Sequence, residues 1–302
     1  INSYRDISEG QYDAFVVGER DRLWRMLEKF VPRGIDLLIT EGTMLSRRAE
    51  TDTSLVQTEE ALGQRAEELF RQHKYNFVLV SSTNLDSIME FFHHTPKGMH
   101  FVCDAYQAEV MLTAMRGMER KGNYPQYRAS ASHCTIRVKG RCRWGYLRRL
   151  GSSLKRPVLI TPVSDDNLKD DGFVMLVRKN SNPARSSIFE EMRDKFCSLD
   201  GQIIYSMWQG YLEGKHIDED LIRFIGGHPV ELLHTSGHAY VETIAKLIET
   251  VDPKVIIPMH TERAEKFSSI PEFAPWADRV KVLRDGEQFS IDTLQKEMEV
   301  FL

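Results

Sequence analysis

Two stretches near the C-terminus decide the fold: Leu233-His234-Thr235-Ser236-Gly237-His238-Ala239 and Pro258-Met259-His260-Thr261-Glu262. Each places histidine where an apolar, strand-like segment runs into a loop. Between them, Tyr240–Thr250 has the apolar spacing of a helix, and Lys254–Ile257 is typical of a short buried strand. Because side chains at the carboxyl ends of parallel strands point into a shared crevice, we expect both histidine loops at one sheet edge. Neighbouring imidazoles there predict metal binding or phosphate chemistry.

The composition is that of an ordinary globular protein and excludes several classes. The 302 residues are 41% hydrophobic and 28% charged, and this length permits two domains. No apolar run approaches the roughly 20 residues that a membrane-spanning helix needs, so we expect no membrane partner. A net charge of −4 argues against nucleic-acid binding through the overall charge of the chain, but it does not exclude a local basic region that binds nucleic acid. The four cysteines lack CxxC spacing, which predicts free thiols and a cytoplasmic location.

Alternating strand and helix patterns predict an α/β fold with a mostly parallel sheet. One buried strand, Ile35–Thr40, ends at Glu41-Gly42-Thr43, an acid followed by a flexible turn residue. The order of segments predicts nesting. Residues 1–56 and 227–302 would form one discontinuous domain, and residues 57–226 would be an α/β domain inserted into it.

Three segments have weaker patterns. The polar segment Arg47–Val56 predicts a surface loop, and Val280–Leu283 predicts a short strand. Residues 119–156 are less regular and rich in arginine and lysine.

These residues resemble the motifs of the β-CASP branch of the metallo-β-lactamase superfamily, a group of RNA-processing metallo-hydrolases. His234–Ala239 and Pro258–Glu262 are similar to its motifs B and C, and Glu41–Thr43 is similar to motif A. Ser3–Ile7 resembles a variant of the strand end that carries a metal-bridging aspartate. The resemblance implies part of a metallo-β-lactamase αββα sandwich with an inserted α/β β-CASP domain of mostly parallel sheet.

The sequence also departs from the family pattern. The superfamily's main metal motif, His-x-His-x-Asp-His, is absent from these 302 residues. The chain begins at Ile1 inside a strand-like segment, so we expect it to be the C-terminal portion of such an enzyme. It would then lack most of the metal ligands.

The resemblance assigns roles to four residues. His238 paired with Glu41 would form a catalytic acid pair, since a nearby carboxylate holds the tautomer of an imidazole that protonates a leaving oxygen. His260 and Asp6 would be metal ligands. The alternative for each histidine is a structural hydrogen bond in a loop.

Two further sets are candidates for substrate binding. His234, Ser236 and Gly237 could hold a phosphate oxygen, because glycine lets main-chain N–H groups approach an anion at a helix start. Alternatively, Ser236 only caps that helix. Basic residues interleaved with aromatic ones form a candidate nucleic-acid contact: Arg137, Lys139, Arg141, Arg143, Arg148 and Arg149.

The resemblance implies a zinc-dependent phosphodiester hydrolase, an RNA nuclease with two Zn²⁺ ions in the complete active site and single-stranded RNA as partner. We expect residues 1–302 alone to hold zinc weakly and to be inactive, since catalytic zinc usually has three protein ligands. Two alternatives stay open: a non-catalytic nucleic-acid-binding or scaffolding relative, and a hydrolase of a small substrate with the same fold. A homo-oligomer is also left open.

Overall fold

The computed structural model describes most of the chain. The described ranges are 22–43, 55–56, 58–121, 125–129, 133–178, 183–235, 238–261 and 263–290. They divide into two compact units, a smaller one within residues 1–52 and 237–302 and a larger one within 53–236. The predicted boundaries, and the domain names attached to them, stay a prediction.

The helices and strands alternate along the chain. The helices are α1 (Arg22–Phe30), α2 (Glu59–Phe70), α3 (Leu85–His93), α4 (Ala105–Lys121), α5 (Trp144–Ser152), α6 (Asp165–Asp171), α7 (Pro183–Asp200), α8 (Glu219–Ile225) and α9 (Val241–Val251). The strands are β1 (Leu37–Glu41), β2 (Leu55–Val56), β3 (Tyr75–Val80), β4 (His100–Asp104), β5 (Thr135–Lys139), β6 (Leu159–Pro162), β7 (Phe173–Val177), β8 (Gly201–Ser206), β9 (Val230–Leu232), β10 (His234–Thr235) and β11 (Val255–Met259).

The larger unit is built on a seven-stranded sheet with the order β6-β5-β4-β7-β3-β8-β9. Every pairing in this sheet is parallel. Strand β3 lies near its middle and is buried throughout, as expected for a strand covered on both faces. The predicted α/β class with a mostly parallel sheet is therefore confirmed.

Two apolar layers cover the sheet, because successive residues of a strand point to opposite faces. In β3, Val78 packs in one layer, whereas Phe77 and Leu79 pack in the other. The first layer takes side chains from α2, α3, α4 and α5, and the second takes them from α6, α7 and α8. The connections after β5 and β6 therefore leave the sheet toward opposite faces.

The smaller unit pairs β1 with β11 in parallel, in a register that sets Glu41 opposite Met259. Helix α9 buries Ile244 and Ile248 in a core with Ile256, Phe267 and Phe273. The rings of Phe267 and Phe273 stack at 4.1 Å. This core packs the helix against strand β11. The predicted αββα sandwich stays a prediction.

Two local predictions were wrong, and a third segment matches its prediction. Leu55–Val56, placed in a surface loop, form strand β2 paired with β10. Residues 119–156, predicted to be less regular, contain the end of α4, strand β5 and helix α5 with irregular segments between them. Val280–Leu283 do not form a strand; Val280 makes a single bridge to Ile256. Dipeptide strands and single bridges depend on a tertiary partner, so local patterns do not indicate them.

Candidate active site

The ends of two neighbouring strands in the smaller unit carry the site. Glu41 is the last residue of β1, and His260 directly follows β11. The Gly42 amide donates to the Met259 carbonyl at 3.0 Å, which continues the pairing one residue beyond the strands. The register therefore brings Glu41 and His260 to one edge, as the sequence indicates.

Glu41 is held against the segment that leads into α9. One carboxylate oxygen, Oε2, contacts Nδ1 of His238, and the other, Oε1, accepts the Ala239 amide at 3.0 Å. The Glu41 side chain is only 9% exposed and that of His238 is 27% exposed. Both oxygens of a mostly buried carboxylate are thus satisfied, and one of them orients the imidazole.

The charge state of Glu41 follows from these contacts. Burial by itself would raise the pKa of Glu41. The hydrogen bonds from His238, the Ala239 amide and Thr43 outweigh that effect, and the pKa lies below its usual value. Glu41 is therefore ionised at neutral pH and acts as an acceptor toward His238.

His260 has an unusual backbone and a defined partner. Its φ is +52°, in the left-handed region, which costs about 1–2 kcal/mol for a residue other than glycine. Its carbonyl accepts the Thr43 hydroxyl at 2.8 Å, and its Nδ1 lies 3.0 Å from the same hydroxyl oxygen. Such strain next to a buried acid indicates a functional site.

The Thr43 contacts indicate the tautomer of His260. The single hydroxyl hydrogen of Thr43 has two acceptors that cannot donate, the His260 carbonyl and the Glu41 carboxylate. With the hydroxyl hydrogen directed at the His260 carbonyl, Nδ1 of His260 is assigned as the donor in its contact with Thr43. This leaves Nε2 of His260 with a free lone pair, which is the form of histidine that binds metals.

Glu41, His238 and His260 are close enough to share a metal ion. One ligand atom from each can be chosen so that all lie within 4.8 Å of one another, and the two imidazole centroids are 5.2 Å apart. The close contact between Glu41 and His238 competes with direct ligation by the atoms that make it. The donor set therefore fits part of a zinc site. His260 would be a ligand, and Glu41 would orient the second imidazole, that of His238.

The other predicted site residues are not all in this cluster. Asp6, Ser236 and Gly237 lie outside the described residues. His234 belongs to the larger unit, where it is half-buried in β10. The next residue, Thr235, donates to Oε1 of the buried Glu59 at 2.8 Å.

The predicted basic residues fall into two groups. Arg137 and Lys139 lie in β5; Arg137 donates to Thr161 and Lys139 bonds Asp165, so both are engaged within the fold. Arg141 and Arg143 follow β5, and Arg148 and Arg149 lie on α5; these four are exposed.

One contributor to the site was not predicted from sequence. Thr43 was quoted with Glu41 but was given no role, although it contacts both Glu41 and His260. Its position two residues after the acid was the available signal. The contact itself depends on the register between β1 and β11, which the sequence does not indicate.

Comparison with known proteins agrees with this geometry. Residues 228–268 match the family model described as the Zn-dependent metallo-hydrolase RNA specificity domain. The matched segment contains His234, His238 and His260, and it supports the metallo-β-lactamase superfamily of metallo-hydrolases. Zinc is implied for that family, and the histidine-rich strand end described above fits such a role in part.

A search of the curated proteins found no match. Among solved structures, the chain is similar to a protein of unknown function from Enterococcus faecalis V583, with a TM-score of 0.54 and 19% identity. The similarity covers 90% of this chain and 54% of that one. The chain thus spans about half the length of this relative, and at such low identity the likeness shows the fold alone.

No helix among the described residues combines the length and the apolar character that crossing a bilayer requires.

Proposed function

We propose that this protein is a zinc-dependent phosphodiester hydrolase of the β-CASP branch that cleaves RNA. The observation that carries the proposal is the contact between the Glu41 carboxylate and Nδ1 of His238, with the His260 ring 5.2 Å from that of His238. The match to a domain described by RNA specificity supports RNA as the substrate.

In this proposal His238 is the general acid. Glu41 occupies Nδ1, so the proton to be transferred sits on Nε2, at the opposite side of the ring. The ionised carboxylate stabilises the imidazolium, which can then protonate the leaving 3′-oxygen of a phosphodiester. A positioned acid of this kind contributes about 10²–10⁴-fold to a rate.

His260 would hold zinc through Nε2, and Thr43 would keep that nitrogen unprotonated. When bound, zinc would polarise the phosphoryl group and lower the pKa of the attacking water. Asp6 as a further ligand, and His234, Ser236 and Gly237 as phosphate contacts, remain part of the proposal.

The test is cleavage of a 5′-labelled single-stranded RNA by the full gene product with Zn²⁺ supplied. We expect Glu41→Gln and His238→Asn each to lower the rate by about 10²–10⁴-fold while RNA affinity is kept. His260→Ala should lower zinc content as well. The matched control is Glu249→Gln, an exposed carboxylate on α9, which should leave the rate unchanged.

Two outcomes would count against the proposal. Cleavage by Glu41→Gln at the wild-type rate would exclude the acid pair. RNA binding by a wild-type protein that holds no zinc and cleaves nothing would favour the non-catalytic relative instead.

A further inference from the structure

The charges of this chain are strongly segregated. Between Arg120 and Ser164 there are 11 basic residues and no acidic residue. The rest of the chain has 29 basic and 44 acidic residues, although the whole carries only −4. A basic segment in an otherwise acidic protein is not explained by general solvation, and it indicates an anionic partner.

The structure places four of these arginines at and around one helix of the larger unit, where Arg148 also donates to the Ile160 carbonyl at 3.4 Å. Arg141 and Arg143 lie in the connection from β5 to α5, and Arg148 and Arg149 lie on α5 itself. We call these four residues the α5 basic surface. All four are exposed, and Arg143 has 77% of its side chain accessible.

Aromatic rings anchor two of these arginines. The Arg143 guanidinium lies 4.9 Å from the centroid of the Tyr146 ring, and that of Arg148 lies 5.7 Å from the Trp144 ring. Both rings also pack against the first apolar layer of the sheet, so they are fixed. Rings that restrain an arginine lower the entropy lost when it binds phosphate, and they offer surfaces on which bases stack.

Little opposing charge reaches this surface. Glu109 approaches Arg143 at 3.7 Å, a loose contact between two exposed side chains. Glu119, also on α4, is engaged by the main-chain amide of Lys155. Exposed ion pairs of the first kind are worth about 0–1 kcal/mol, so an entering phosphate can replace the carboxylate.

The topology also favours a ligand here. Helix α5 follows β5 on one face of the sheet, and helix α6 follows β6 on the other. The two strands are adjacent, so their connections diverge at the carboxyl edge. In open α/β sheets, ligands bind in the crevice where neighbouring connections leave toward opposite faces.

We propose that the α5 basic surface binds the phosphate backbone of single-stranded RNA through residues other than the Glu41–His238 pair. The substrate class rests on the proposed function, but the surface is in the other unit and contains none of the residues assigned to cleavage.

The test is fluorescence anisotropy of a labelled 20-nucleotide single-stranded RNA, measured against salt with a chelator present so that the RNA stays intact. The variant replaces Arg141, Arg143, Arg148 and Arg149 with glutamine. We expect its plot of log affinity against log salt to be less steep by about 3, because each neutralised phosphate of a single strand contributes about 0.7. At 0.1 M salt its affinity should fall at least about tenfold.

A matched variant removes the same charge elsewhere in the larger unit. It replaces four exposed lysines with glutamine: Lys74, Lys97, Lys169 and Lys215. We expect its salt dependence to equal that of the wild type. A third variant, Arg143→Lys with Arg148→Lys, keeps the charge but loses the planar group, and should bind more weakly with an unchanged slope.

Equal loss in the two glutamine variants would overturn the inference, since net charge alone would then explain binding. An unchanged slope of log affinity against log salt in the arginine variant would also overturn it. So would binding of the wild-type protein to anionic vesicles but not to RNA. Urea unfolding confirms that each variant is folded. If the arginine variant loses RNA binding while Glu41→Gln cleaves RNA at the wild-type rate, the inference about the α5 basic surface is kept and the proposed nuclease mechanism is excluded.

Discussion

The carboxylate of Glu41 and the imidazole of His238 are 197 positions apart in the chain and in direct contact in the folded protein. One oxygen of Glu41 takes the ring nitrogen and the other takes the Ala239 amide. This arrangement joins the end of β1 to the segment before α9. It gives Glu41 a structural effect that can be measured apart from any activity.

Glu41→Gln should lower the free energy of unfolding at pH 7 by about 1.5–3 kcal/mol, the range for hydrogen bonds to a charged group. Glutamine has a similar shape, but its NH₂ group cannot accept, so the donors at one of the two Glu41 oxygens lose their acceptor. Urea unfolding measures the loss, and Glu249→Gln should stay within about 0.5 kcal/mol of the wild type. A neutral result for Glu41→Gln would contradict the observed contacts.

The stabilisation by Glu41 should depend on pH in a defined direction. Its pKa is lowered on folding from the ordinary value of 4.5. The contribution is therefore fully present above about pH 4.5 and is lost as the pH falls through the lower, folded value. The difference in unfolding free energy between wild type and Glu41→Gln should shrink in that acidic range. If the difference grew on acidification instead, the pKa of Glu41 would have to be raised by folding, not lowered.

Thr43→Val should free the His260 ring from its fixed tautomer. In the wild type, long-range ¹H–¹⁵N spectra of the neutral His260 ring should report a proton on Nδ1 and none on Nε2. The valine variant should show a mixture of both tautomers, and Thr43→Ser, which keeps the hydroxyl, should retain the wild-type form. If valine leaves the tautomer unchanged, Thr43 has no positioning role.

Zinc binding by residues 1–302 should be weak. Among the described residues, the cluster offers the free Nε2 of His260 and a second imidazole already paired with Glu41. Catalytic zinc usually has three protein ligands. Metal analysis after dialysis should therefore find fewer than two zinc ions per chain, and His260→Ala should reduce the remainder. Two tightly bound zinc ions per chain would refute this expectation.

Two glycines of α5 should respond oppositely to alanine. A Cβ on Gly151 would lie 2.3 Å from the Val158 carbonyl oxygen, so Gly151→Ala should destabilise the larger unit despite the better helix propensity of alanine. A Cβ on Gly145 would meet only the Arg149 side chain at 3.8 Å, so Gly145→Ala should be neutral or stabilising by up to about 1 kcal/mol. Thermal unfolding of both variants separates the outcomes, and stabilisation by Gly151→Ala would contradict the packing of α5 on β6.

Much of the candidate site could be predicted from local patterns. An acid at the end of one strand and histidine after another indicated one shared edge, and the β1–β11 register has both there. The first of these strands was predicted to be buried, but β1 is half-exposed, with Ile39 on its outer side. Thr43 was missed because its role depends on which backbone lies opposite, and a strand's sequence does not encode its partner. The basic residues could be found as a run in the sequence, but the sequence did not indicate which of them are engaged within the fold and which are exposed. In strand β5 the half-buried Arg137 and Lys139 contact Thr161 and Asp165, whereas Arg141 and Arg143 in the connection to α5 stay exposed.

The sequence by itself determined the α/β class and the parallel sheet, and it singled out Glu41, His238 and His260 as candidate site residues, because periodicity and strand-end chemistry are local properties. Only the tertiary structure decided that Glu41 holds His238 through Nδ1, that Thr43 contacts both Glu41 and His260, and that the four arginines at α5 stay exposed. Those relations require residues far apart in the chain to meet within hydrogen-bonding or packing distance. Packing of the apolar core within each unit fixes which residues meet.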